Sequence, residues 1–160
     1  CVGATKTFNL AGAHAGATIC SNPAMKRKID QRIAAAGLSS YNLFGMIVTE
    51  AALRGGDAWL DALIPYLQAN RDHFSNGVAR AVPGARAMNL EATYLPWVDF
   101  SATGMERDEY MRRIARVARI GVSPGPQFGP GGENFVRFNI ATPRYWIDQA
   151  LDRLADAFAG

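Results

Sequence analysis

From Asp57 to Val78 the apolar residues Trp59, Leu60, Leu63, Ile64, Leu67, Phe74 and Val78 recur at helical spacing, and Pro65 falls inside the run. The spacing predicts one long helix with Asp57 at its N-cap. Proline removes an intrahelical hydrogen bond and its ring collides with the preceding turn, so a kink or break is expected near residues 62–64. A bend there is a natural joint between two bodies. It divides the chain at about residue 70, into 1–70 and 71–160.

Before the joint, the alanine-rich stretch Ala15 to Cys20 reads as a short strand covered on both faces. Ser21-Asn22-Pro23 reads as the turn opening a helix through about Ala36, stopped by Gly37. Ser39 or Ser40 can cap a second helix carrying Leu43, Phe44, Ile47, Val48, Ala51 and Ala52, which Gly55-Gly56 ends. Beyond the joint, Thr93 to Phe100 is a strand candidate whose Pro96 argues for a sheet edge or a bulge. Met105 to Ile120 is helical, with four arginines toward water. Thr142 caps and Pro143 opens a last helix that carries Ile147, Leu151, Leu154 and Phe158. The fold class is α/β, with an α+β second body.

Hydrophobic residues make up 49% of the chain and charged residues 19%, which supplies a core and excludes a disordered chain. Lys26-Arg27-Lys28 is the one dense basic run. It reads as a solvated helix start rather than a nucleic-acid site, because no aromatic platform accompanies it. Cys1 and Cys20 are too few for a disulfide framework and lack metal-ligand spacing, which favours a reducing, cytoplasmic setting and no metal. No apolar run reaches membrane-spanning length, and Lys6 interrupts any signal-peptide pattern.

Two cations stand out. Lys6 lies in Gly3-Ala4-Thr5-Lys6-Thr7-Phe8-Asn9-Leu10-Ala11-Gly12, and no carboxylate occurs among the first 29 positions. Schiff-base chemistry needs an amine of lowered proton affinity, which apolar surroundings without a counter-ion favour, and small neighbours that admit a flat ring. An ordinary surface lysine beside a turn has the same pattern. In Asn134 to Ala141, alternation puts Val136, Phe138 and Ile140 on one face and Phe135, Arg137 and Asn139 on the other. Arg137 therefore points away from the apolar face, with no acid nearer in sequence than Glu133 or Asp148. A structural ion pair and the capture of a ligand carboxylate are equally compatible with that position. The loop Gly121 to Gly132, rich in glycine and proline, lacks the ending of a P-loop and reads as a connector.

The segment Thr5 to Gly12 resembles the cofactor-lysine signature of the cystathionine β-lyase branch, the MalY/PatB type, of class I/II aminotransferase-like enzymes of fold type I. The likeness continues in order through Trp59-Leu60-Asp61-Ala62-Leu63 with Tyr66-Leu67 and Asn70, Ala92-Thr93-Tyr94-Leu95 with Trp97 and Asp99, Pro124-Gly125 to Phe128-Gly129, and Phe135 to Ala141 with Pro143-Arg144. The resemblance implies the C-terminal part of such an enzyme: the end of its large domain, with the interdomain helix, and its small C-terminal domain. It implies pyridoxal 5'-phosphate as cofactor, bound covalently by Lys6, which also moves the substrate's α-proton. Arg137 matches the arginine that holds the α-carboxylate of an amino-acid substrate. Phe128 and Gly129 would line the pocket. Aspartate aminotransferases carry a serine and an arginine on the cofactor phosphate where this chain has Gly3 and His14, which leaves Thr5 as the candidate cofactor contact. The implied reaction is β-elimination from cystathionine or a related cysteine S-conjugate, giving thiol, pyruvate and ammonia. Transamination and a non-catalytic binding or dimerisation module are the alternatives. A homodimer is implied as well.

Overall fold

A computed structural model describes residues 1–159, and the chain separates into two compact units, Cys1–Ile64 and Pro65–Gly160.

In the first unit, α1 (Pro23–Ala35) begins as predicted. The Asn22 side chain accepts from the backbone N–H groups of Ala24 (2.9 Å) and Met25 (3.0 Å), and Pro23 takes the first turn, where its missing N–H costs nothing. Gly37, at φ 70°, follows its end. Helix α2 (Leu43–Gly55) starts later than the serines suggested. Asn42 stands at its cap, yet makes no capping bond, because its amide donates instead to the Ala13 carbonyl (2.9 Å). The strand expected over Ala15 to Cys20 is reduced to a single antiparallel bridge, Ala17 with Val2. A strand needs a partner along its length, and among the described residues only Val2 supplies one.

Helix α3 (Asp57–Ala81) runs unbroken through Pro65, and Asp57 sits in its first turn rather than before it. The predicted break does not occur: one missing N–H frees one carbonyl, while the hydrogen bonds on either side persist. The two units part at Pro65.

The second unit holds a four-stranded antiparallel sheet in the order β1 (Arg86–Ala87), β2 (Trp97–Asp99), β4 (Phe135–Arg137), β3 (Ser123–Pro124). Its core joins Phe74 and Val78 of α3 to Val98, Val136, Phe138 and Ile140, and to Ile147, Leu151 and Leu154 of α5 (Arg144–Phe158). Burial of Val136, Phe138 and Ile140, with Phe135, Arg137 and Asn139 more open, matches the predicted alternation. Strand β2 lies inside the sheet, which overturns the edge, one of the two readings that Pro96 left open. Pro96 precedes the strand and contributes only its carbonyl, which accepts from Phe138 N–H (2.9 Å). Helix α4 (Arg107–Arg112) continues as a π-helical turn over Arg113–Val117, a change of pitch that apolar spacing did not disclose. Tyr110 on α4 stacks on Phe100, with ring centroids 4.7 Å apart.

Thr142 does not cap α5, and Pro143 occupies the cap position. The N–H of Arg144 is satisfied from α3 by the Tyr66 hydroxyl (2.8 Å). Asn70, one helical turn further along α3, is fully buried. It donates to the carbonyls of Ile140 and Thr142 (both 3.0 Å) and accepts from Arg144 Nε (2.9 Å). These bonds join α3 to the strand-to-helix corner at residues 140–144. Among the described residues no helix is long and apolar enough to cross a membrane, and no group of His, Cys, Asp and Glu could hold a metal.

Candidate active site

Lys6 sits in a chain of turns over residues 4–9, tightened by Phe8 N–H to Ala4 O (3.0 Å) and Leu10 N–H to Thr5 O (2.8 Å). The loop is clasped at its base by the paired backbone bonds of Val2 and Ala17, both 2.8 Å. It is fixed from outside at two glycines. A Cβ at Gly45 would overlap the Ala13 carbonyl, and one at Gly56 would overlap the Phe8 ring. Only a residue without a side chain lets α2 and the start of α3 approach the loop so closely. The Phe8 ring lies 6.0 Å from Trp59, and the Asn42 amide holds Ala13.

Of the small residues around Lys6, only Ala4 is a packing surface, while Gly3, Thr7 and Gly12 are exposed. Thr5 beside it is half-buried and Ala4 is buried, while Lys6 itself is exposed. None of the ion pairs among the described residues includes Lys6. A largely apolar cleft of about 780 Å³ opens beside the loop, lined among others by Ala4, Thr7, Phe8, Met46 and Leu53, but not by Lys6.

Arg137 lies in the second unit, at the end of β4. The register places it opposite Trp97 on β2 and Ser123 on β3. Its Nη2 donates to the Ser123 hydroxyl (3.2 Å), and its guanidinium carbon sits 4.3 Å from the centroid of Phe128. Phe128 in turn meets the Trp97 ring edge to face at 5.1 Å. Of the two readings open for Arg137, a structural ion pair is not what the described residues supply: no carboxylate pairs with it. Ser123 carried no signal in the sequence, since a register between a glycine-rich loop and β4 is invisible to local pattern. The loop is more than a connector, because it forms β3 and the short 3-10 turn Gly125–Phe128.

The family model for aminotransferase class I and II matches residues 1–154. Cystathionine β-lyase PatB of Bacillus subtilis (strain 168) is 33% identical over 159 residues, covering 99% of this chain and 41% of PatB. The crystal structure of cystalysin from Treponema denticola, which contains a pyridoxal 5'-phosphate cofactor, has a TM-score of 0.91 at 29% identity and covers 98% of this chain and 40% of its own. The PLP-bound C-S lyase from Staphylococcus hominis has a TM-score of 0.84 at 26% identity, with 98% and 40% covered. The chain spans about two fifths of the length of these relatives.

Proposed function

The chain belongs to the class I and II aminotransferase family, and on that premise we propose that it is the C-terminal part of a pyridoxal-phosphate-dependent C-S β-lyase acting on cystathionine or a related cysteine S-conjugate. Residues 1–70 are the end of the large domain and residues 71–160 the small one. Lys6 holds the cofactor and Thr5 contacts it. The Lys6 amine is exposed rather than set in the apolar surroundings expected from the sequence, and the fit rests on its having no carboxylate partner among the described residues, so that it can condense with an aldehyde without first breaking an ion pair.

When bound, the cofactor supplies an electron sink for the charge left at the substrate's Cα. Arg137 holds the α-carboxylate through its planar fork of N–H donors and so orients the substrate. Lys6 would hold the cofactor, and its free amine would accept the proton from Cα as general base and return it to the departing sulfur. Loss of the thiol from Cβ would leave an enamine that water hydrolyses to pyruvate and ammonia. The complete protein acts as a cytoplasmic homodimer on a small amino-acid substrate, with neither nucleic acid nor membrane as partner. The observation that supports this reading best is Arg137, contacted by neutral groups and in no ion pair among the described residues.

In the full-length protein, Lys6→Ala should abolish both the cofactor's lysine-bound absorbance and turnover. Retention of either sinks the enzyme reading and favours a binding or dimerisation module. Pyruvate release from cystathionine without a keto-acid acceptor separates the lyase from an aminotransferase, which would need that acceptor to turn over.

A further inference from the structure

We propose that Phe128 and Ser123 are positioning residues for Arg137, fixing the plane of its guanidinium while leaving its charge and most of its N–H donors free for a carboxylate. The proposal rests on the reading of Arg137 as the carboxylate-binding residue. The donors of a guanidinium all lie in its plane, so a ring against its face restrains it without consuming any of them. The Arg137 guanidinium carbon lies over the Phe128 ring, 4.3 Å from its centroid, and Ser123 accepts a single bond from one Nη.

Arg113 shows the contrast within the same unit. It too lies near a ring, Phe158 at 5.6 Å, but its Nε donates to Glu109 (2.8 Å) and its Nη1 to the Ala157 carbonyl (3.1 Å). Those partners neutralise and occupy it. The residue that shares the Arg137 face of the sheet and could do the same, Asp99, instead accepts from the backbone N–H of Ser101 (2.8 Å).

The Phe128 and Trp97 rings meet edge to face, with centroids 5.1 Å apart and planes inclined at 71°. At 48% exposure it is not a core residue, so the core gives no reason for a ring at this position. Its loop is anchored where Gly125 and Gly132 meet backbone to backbone. A Cβ at Gly125 would strike the Gly132 carbonyl and come within 2.7 Å of Phe135 O. Ser123 enters the site by strand register, opposite Arg137. The loop thus brings two neutral restraints to one cation.

The test uses the full-length, cofactor-loaded protein with cystathionine. Phe128→Leu removes the ring face and should raise KM about fivefold with kcat little changed, the size expected of a half-exposed cation–ring contact. Phe128→Tyr restores the face and should restore KM. Ser123→Ala should raise KM about threefold, the effect of one modest hydrogen bond. Binding of a non-reacting carboxylate ligand, measured by calorimetry, should weaken in parallel, while binding of the matched amine without the carboxylate should not. The proposal is overturned by an unchanged KM in Phe128→Leu, or by equal weakening of the acid and the amine, which would make Phe128 a pocket wall. Should Phe128→Leu fail to fold, an unchanged KM in Ser123→Ala overturns it. Arg137→Ala with an unaltered KM would refute the underlying assignment instead.

Discussion

Asn70→Ala removes three hydrogen bonds from the corner that joins β4 to α5: two from its amide to Ile140 and Thr142 and one that it accepts from Arg144. A net value near 1 kcal/mol for each, with more for the guanidinium bond and for the buried Ile140 carbonyl left without this donor, gives a loss of about 3–4 kcal/mol. Water can reach the half-buried Thr142 and recover part of it, so about 3 kcal/mol is expected. A chain of two units gives no single unfolding free energy, so the assay is native-state hydrogen exchange. The amides of Ile140 and Trp146, bonded to Tyr94 O and Pro143 O, report on the corner. Their exchange should accelerate roughly a hundredfold, the equivalent of about 3 kcal/mol. Asn70→Asp keeps the acceptor for Arg144 but sets an anion against two carbonyl oxygens, and should lose at least as much. Exchange within about threefold of the parent in either variant would refute the idea that Asn70 anchors this corner.

Gly125→Ala should raise KM by displacing β3 and Phe128, whereas Gly121→Ala, with open space around its Cβ, should not; equal behaviour of the two would contradict the backbone contact described. Hydrogen bonds from Arg112 and then Arg113 hold the Glu109 carboxyl at about 2, below its usual 4.5. Because the folded value is the lower one, the stabilisation is present above about pH 4.5 and is lost as pH falls toward 2. A carbon NMR titration should place the Glu109 midpoint near 2 and show it rising in Arg112→Ala, and a midpoint in the ordinary carboxylate range would contradict the paired geometry. Burial pushes the Tyr110 phenol up, and its hydroxyl donates to Glu133 O at 3.0 Å. Tyr110→Phe should cost about 1 kcal/mol in unit stability and remove a late-titrating phenol from the ultraviolet titration; an unchanged titration curve would count against it.

Features with a strict local period were legible in the sequence. The alternation through β4, the apolar stripe of α5 and the Asn22-Pro23 start of α1 each follow from neighbours two to four residues apart. What was not legible depends on groups far along the chain. Asn42 stands at a helix cap but is claimed by Ala13, and the first N–H of α5 finds Tyr66 rather than Thr142. Pro96 argued for an edge because a proline cannot donate, yet it falls just before the ladder, where only its carbonyl is needed. At the candidate site, Lys6 stood out by the absence of acids around it, whereas Arg137 could not be decided. Its partners are a hydroxyl and a ring from a loop whose glycines and prolines made it look like a linker.

The distinction between neutral and ionic restraint bears directly on what Arg137 can do. Arg54, Arg71, Arg107, Arg112 and Arg113 each lie within 3.1 Å of a carboxylate. An incoming anion at any of them would have to displace a resident one, and the energy of the old pair would be subtracted from that of the new. Arg144 has a neutral partner, but its Nε is committed to Asn70 and its backbone to Tyr66, so it is part of the corner. At Arg137 the resident contacts are the Phe128 ring, whose centroid lies 4.3 Å from the guanidinium carbon, and one hydroxyl. A carboxylate arriving there breaks no ion pair among the described residues and finds a guanidinium already restrained by those two contacts. Both effects act on affinity. Substitutions at Phe128 and Ser123 should therefore appear in KM before they appear in kcat.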